Sequence, residues 1–259
     1  MRKLVLVTFS VVLASSATLV ACSGPSEGTP AGTTQAATTP ATTAPDTVVH
    51  QAVVLTPEQQ AGQVVFESVC WTCHGSSGHG NGPARTAEIT PPSFQTPEYA
   101  TASPAVLQER FRASLQGADP NHPHMQYVVK LVKPEAFEEA LAFIPALAYP
   151  PEIPGSAIGG QRIFQFRCAG CHGAEGRGDG PGAANLVDAV KPANFTTDTL
   201  VASRNWQAVH DKIGVGGQHI HGSVMPAWDL VLNDADIWDL VAYLATFQPG
   251  LVAKPSWEN

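Results

Sequence analysis

Apolar and polar positions divide the chain into three regimes. Leu4 to Val20 is mostly apolar with interspersed small residues, and it follows the positive start Met1-Arg2-Lys3. Ser23 to about Val54 is Thr, Ala, Pro, Gly and Ser with almost no large apolar residue. From Thr56 onward, apolar residues recur at helical spacing. Ile237, Leu240, Val241 and Leu244 give one apolar face to a closing helix over Asp234 to Phe247. Asp234 and Asp236 put negative charge in its first turn, where the helix dipole favours it. Pro134 to Leu147 reads as a second closing helix. Thr56 is a good N-cap, with Pro57 at the first helical position, and that helix runs into Cys70. Ser103-Pro104 and Ser203 start a further helix in each half. Strand signal is slight, so the predicted fold is all-α.

Past Thr56 the chain is written twice. Gly62-Gln63-Val64-Val65-Phe66 leads to Cys70-Trp71-Thr72-Cys73-His74-Gly75. Gly160-Gln161-Arg162-Ile163-Phe164 leads to Cys168-Ala169-Gly170-Cys171-His172-Gly173. The loops that follow keep glycines at Gly78, Gly80 and Gly82 and at Gly176, Gly178 and Gly180, each set closed by a proline, Pro83 or Pro181. Phe94 then matches Phe195, Met125 matches Met225, and Phe143 matches Tyr243. The chain is a tandem duplication of a unit of about 100 residues. The expected layout is 1–21 a signal peptide, 22–54 a flexible tether, 55–150 the first domain and 151–259 the second. The seven residues Tyr149 to Gly155 join the copies, and their reach of at most about 25 Å makes the domains neighbours.

The N-terminal regime has the n-region and h-region of a secretory signal. It ends in Leu19-Val20-Ala21-Cys22, which resembles a bacterial lipobox, so Cys22 is the expected lipidated first residue. An uncleaved signal anchor is the alternative, and both readings export the protein and keep it at a membrane. The tether cannot bury enough apolar surface to order itself. Its r.m.s. reach is about 30 Å. The net charge of −8 excludes a general nucleic-acid binder, because nothing neutralises a run of phosphates.

C-x-x-C-H is the covalent attachment signature of c-type haem: two thiols bind the vinyl groups and the adjacent His binds iron. The five cysteines are then all assigned: Cys70 and Cys73, Cys168 and Cys171, and Cys22 for lipid. A zinc site leaves the paired His and the repeat unexplained. A thiol–disulfide redox pair lacks its α/β context, and two isolated C-x-x-C loops are poor structural disulfides. The proximal ligands are therefore His74 and His172. Each iron needs a second axial ligand. The chain has three Met, and apart from Met1 they are Met125 and Met225, at matched repeat positions. Met225 precedes Pro226, whereas Met125 precedes Gln126 and follows His124, which competes for the first iron. His122 also precedes Met125, and His219 and His221 precede Met225 and compete with it for the second iron; the remaining histidines, His79 and His210 among them, read as loop or helix residues or as partners of haem propionates. The Gly-rich loops let the backbone turn beside the haem and lack the Lys-Ser/Thr of a phosphate cradle. Phe94, Phe195 and Trp228 are expected to wall the pockets.

In order and in both copies, these motifs resemble the class I cytochrome c family in its diheme bacterial form. The resemblance runs from about Thr56 to the end. It implies two covalently attached haem c groups, held by Cys70, Cys73, Cys168 and Cys171. It implies His74 and His172 as proximal ligands, and Met125 and Met225 as distal ones. In the family, the first and last helices cross near Gly62, Phe66 and Phe143, or near Gly160, Phe164 and Tyr243. The first copy departs from the pattern at Gln126 and at Pro145 in its closing helix. The expected function is electron transfer from the outer face of the cytoplasmic membrane. The partners would be a quinol-oxidising complex and a terminal oxidase or reaction centre. The alternatives are a diheme, peroxidase-like enzyme with an open first haem, or a fixed cytochrome subunit of a larger oxidoreductase complex.

Overall fold

A capping box opens the first helix. The amide of Gln59 donates to Thr56 Oγ1 (3.2 Å), and the Thr56 amide donates to Gln59 Oε1 (3.0 Å). Two of the orphan N–H groups of that helix end are thereby satisfied. The computed structural model describes residues 53–115, 125–128, 130–186, 190–217, 223–248 and 250–254. The expected signal peptide, the tether up to residue 52, Cys22 and His50 lie outside the described residues. So do His122, His124, His219 and His221.

Helix α1 spans Pro57–Val65 and continues through a π-helical turn, Phe66–Cys70, into the short helix α2, Trp71–His74. After the Gly-rich loop come α3 (Pro97–Ala100), α4 (Pro104–Leu115), α5 (Met125–Val128) and α6 (Pro134–Leu147). The second half repeats the plan with α7 (Ala157–Arg167), α8 (Ala169–His172), α9 (Thr199–Ala202), α10 (Trp206–Val215) and α11 (Asp234–Ala245). Among the described residues there is no strand, and the fold is all-α.

Two details differ from expectation. Ser203 does not start a helix: it caps the end of α9, and Asn205 caps α10 by accepting from the Ala208 amide (3.2 Å). An Asn side chain reaches the third amide of a helix as well as Ser does, and this one stands nearer the apolar run. The closing helix ends at Ala245, short of Phe247.

Each half is built on one helix crossing, α1 against α6 and α7 against α11. Glycine makes both crossings close. A Cβ on Gly62 would sit 2.0 Å from the carbonyl oxygen of Glu139, and one on Gly160 would sit 1.9 Å from that of Asp239. Beside the first crossing, Phe66 and Phe143 meet edge to face at 5.7 Å, each 1% exposed. Beside the second, Phe164 packs on Tyr243 at 5.3 Å. Truncating either Phe66 or Phe164 to Ala would cost about 3–5 kcal/mol in transfer energy and cavity.

The two halves lie within one compact unit. Tyr149 and Ile153 of the connection are buried in the second core, and Ile158 of α7 is buried in the first. Arg162 on α7 pairs with Glu67 (2.9 Å) and donates to the Ser76 carbonyl (3.0 Å). Among the described residues, no helix is long and apolar enough to cross a membrane.

Candidate functional site

Each C-x-x-C-H segment forms one helical turn, so its first cysteine and its histidine project from the same short element. Gly75 and Gly173 then end that turn with φ of 79° and 78°. A backbone in this region favours residues without a Cβ, and the chain reverses there around the histidine. Burial, and secondarily the neighbouring thiol, push the Cys70 thiol up to about 11 and the Cys168 thiol up to about 12. Among the described residues, no group of three His, Cys, Asp or Glu converges as a metal site. The four described cysteines are free thiols.

The two histidines share one environment. His74 is buried, donates from Nδ1 to the Pro92 carbonyl (3.3 Å), and stacks on Phe94 with centroids 4.4 Å apart. His172 donates from Nδ1 to the Ala193 carbonyl (3.1 Å) and stacks on Phe195 at 4.5 Å. A carbonyl at Nδ1 fixes the tautomer and leaves the Nε2 lone pair for a metal. Burial holds His172 below the ordinary imidazole value, against the opposing effects of the Ala193 bond and Asp198, so the neutral, ligating form prevails.

Both histidines face cavities. The first, about 390 Å³, is lined by Phe66, Cys70, His74, Phe94, Leu107 and Met125, among others. The second, about 310 Å³, is lined by Phe164, Cys168, Cys171, His172, Phe195, Met225 and Trp228, among others. The structure thus brings Met125 to His74 and Met225 to His172 around one cavity each. Cys73 is half-buried and is not on the lining of the first cavity. Phe94, Phe195 and Trp228 line the cavities as the sequence suggested. A largely apolar chamber with a thiol, an imidazole and a thioether on its walls fits haem c at each site.

The sequence missed two features. The second cavity also carries the cations Arg167, Lys191 and Lys212. His79 lies in the Gly-rich loop, as read, and bonds Asp239 of the other half at 2.7 Å. Its lone signal is an acidic residue placed among the apolar positions of α11. His210, also without a ligand role, stacks on Trp238 (4.6 Å) and faces Asp234 at 3.1 Å.

A sequence model of the family described as Cytochrome c matches residues 59–147 and again 157–248. Among curated proteins, the chain is 24% identical over 210 residues to the Cbb3-type cytochrome c oxidase subunit FixP of Sinorhizobium medicae, covering 77% of this chain and 66% of that protein. It is 26% identical over 190 residues to subunit FixPc of Rhizobium leguminosarum bv. viciae, covering 73% and 61%. It is 24% identical over 192 residues to subunit CcoP of Rhodobacter capsulatus, covering 70% and 57%. The chain therefore spans less than two thirds of the length of these relatives. A chain of the solved Kuenenia stuttgartiensis reducing HAO-like protein complex Kustc0457/Kustc0458 is 22% identical, covering 75% of this chain and 100% of that one at a TM-score of 0.30. That likeness is too slight to bear on function. With the family matched over both halves, the chain belongs to the cytochrome c family, as a tandem pair of its domains carrying two covalently bound haem c groups.

Proposed function

We propose that this protein is an electron carrier whose haems are His/Met ligated at both sites. Cys70 and Cys73 attach the first haem, and Cys168 and Cys171 the second. His74 and Met125 flank one iron, and His172 and Met225 the other. Bound haem iron supplies reversible one-electron chemistry between its ferric and ferrous states. The protein's own groups do the rest. The carbonyls of Pro92 and Ala193 hold the imidazoles in the ligating tautomer. Phe94 and Phe195 fix the ring planes, and the apolar walls exclude water. Met as the second ligand raises the potential and fills the coordination sphere, which suits electron transfer rather than substrate binding. The observation that carries this reading is the presence of a thiol, an Nδ1-anchored His and a Met on each of two cavities.

Cys22 is the proposed lipid anchor, and the tether is the proposed arm that gives the domains a high effective concentration near their partners. The acidic balance of the chain favours a partner with a basic docking site. Redox partners would be a quinol-oxidising complex on one side and a terminal oxidase or reaction centre on the other. A fixed place in an oxidase is the second reading, favoured by the names of the relatives above.

The test is an optical spectrum of the holoprotein with a haem count per chain. Two haems, with the far-red ferric band of Met sulfur at full strength for both, are expected. Half-strength signal, with carbon monoxide binding to the reduced protein, would overturn Met125 as ligand and revive an enzyme with an open first haem.

A further inference from the structure

The loop behind the first proximal histidine is also the face on which the two halves meet. Three contacts from Ser76 to His79 reach the second half. Arg162 on α7 donates to the Ser76 carbonyl. The hydroxyl of Ser77 packs on Gly159, where a Cβ would come within 2.2 Å of it. His79 Nε2 donates to Asp239 Oδ1 at 2.7 Å. Asp239 is 1% exposed, and the same oxygen also accepts from the Ser156 amide at 2.7 Å. The imidazole therefore binds a buried carboxylate that the second half has already fixed. A buried carboxylate is costly unless hydrogen bonds satisfy it, and here Oδ1 takes its bonds from both halves while Oδ2 is buried without a hydrogen-bond partner among the described residues.

The pair also joins segments that lead to both cavities. The Gly80 amide, next to His79, donates to the His74 carbonyl at 2.7 Å. Asp239 is followed by Leu240, whose side chain lines the second cavity. From the backbone of His74 to the wall of the second cavity, the connection is covalent except for two hydrogen bonds of 2.7 Å. Electronic coupling decays more slowly through covalent and hydrogen bonds than across van der Waals gaps. The arrangement is specific to one direction of the repeat. The counterpart of His79 is Arg177, and the counterpart of Asp239 is the exposed Glu139.

We propose that His79 and Asp239 are positioning residues for electron exchange between the haems: they dock the first haem-attachment loop on α11 and complete a bonded route between the cavities. In each event one iron is oxidised, the other is reduced by the same electron, and no proton or atom is transferred. The inference rests on the proposed function above, in which both haems carry electrons.

The test uses the full chain with both haems attached, held half-reduced, with two-dimensional exchange NMR of the haem methyl signals. Wild type is compared with His79→Ala, which removes the donor, and His79→Gln, which keeps one. Potentials and small-angle scattering are recorded for each. Wild-type exchange independent of protein concentration is expected. His79→Ala should slow it by about an order of magnitude with potentials and radius of gyration unchanged, and His79→Gln should recover most of the rate. Equal rates in all three proteins would overturn the route while leaving the carrier function intact. Slowing accompanied by a larger radius of gyration would reduce the pair to a structural contact and also overturn it. Wild type with no concentration-independent exchange would overturn the shared use of the two haems, and the route with it.

Discussion

In the first half, His74 donates to Pro92 and stacks on Phe94; in the second, His172 donates to Ala193 and stacks on Phe195. The ring separations differ by 0.1 Å, at 4.4 and 4.5 Å, and the interplanar angles are 18° and 20°. The distal sides are unlike. Met125 opens the four-residue helix α5, ahead of Gln126. Met225 lies in an irregular segment ahead of Pro226, and its carbonyl accepts from the Gly217 amide at 2.9 Å. The difference has a physical origin. The proximal side is fixed by one short stretch of chain and one glycine-spaced crossing, so copying those residues copies the geometry. The described part of the distal side is a short helix in the first half and an irregular segment in the second, and there the two sequences have diverged.

The strongest way to break the equivalence of the proximal sides is to remove one attachment site at a time. Cys70→Ser with Cys73→Ser should leave one haem per chain, attached to the second half. Cys168→Ser with Cys171→Ser should leave the other. A haem-to-protein ratio from the alkaline pyridine spectrum measures both. Loss of both haems from a single double variant would show that the halves do not mature independently.

A smaller effect tests the shared crossing. Gly62→Ala and Gly160→Ala each drive a methyl into a backbone carbonyl, at 2.0 and 1.9 Å, that cannot move without its helix. Overpacking of this kind costs about 3 kcal/mol, and the two variants should lose similar amounts in urea unfolding. A large loss in one and none in the other would mean that the crossings are not equivalent.

Much of this was legible because it is local chemistry. The paired thiols, the following His and the repeated Met are read directly from spacing, and Thr56 caps a helix whatever surrounds it. Ser203 misled because Ser and Asn compete for the same capping role, and only the settled chain shows that Asn205 takes it. The pairing of His79 with Asp239 joins residues 160 apart, and the acidic residue among the apolar positions of α11 signals a buried partner without naming it. The π-helical turn Phe66–Cys70 was equally hidden, since the second copy reaches Cys168 through a regular helix from a similar sequence. The distal loop around His124 lies outside the described residues.

Tyr243 and Phe143 occupy matched places and sharpen the comparison through pH. Burial, and then Glu175, push the Tyr243 phenol up to about 12. In the unfolded chain a phenol ionises near 10. Between these values the unfolded state releases a proton that the folded state keeps, so stability falls as pH rises. Below pH 10 this contribution is constant. The second half should therefore lose stability between pH 10 and 12, and Tyr243→Phe should flatten that loss. Urea midpoints at pH 9 and pH 11 give the comparison. An identical alkaline loss in the variant would place its source elsewhere.

The smallest expected effect lies inside the attachment turns themselves. Between the cysteines the first half has Trp71-Thr72 and the second Ala169-Gly170. Gly170 sits within helix α8, and a Cβ built on it meets nothing within 4 Å. A glycine in a helix without a packing reason gives away backbone entropy, and Ala recovers about 0.5–1 kcal/mol of it. The first half already has a side chain at this place, so a Cβ there is compatible with the turn. Gly170→Ala should raise the unfolding midpoint of the holoprotein by a corresponding small amount, with haem content and the Met band unchanged. A fall in haem content instead would mean that the glycine is needed during attachment, when the turn must open to the vinyl groups. The two attachment turns would then differ in how they are loaded, although they are alike once folded.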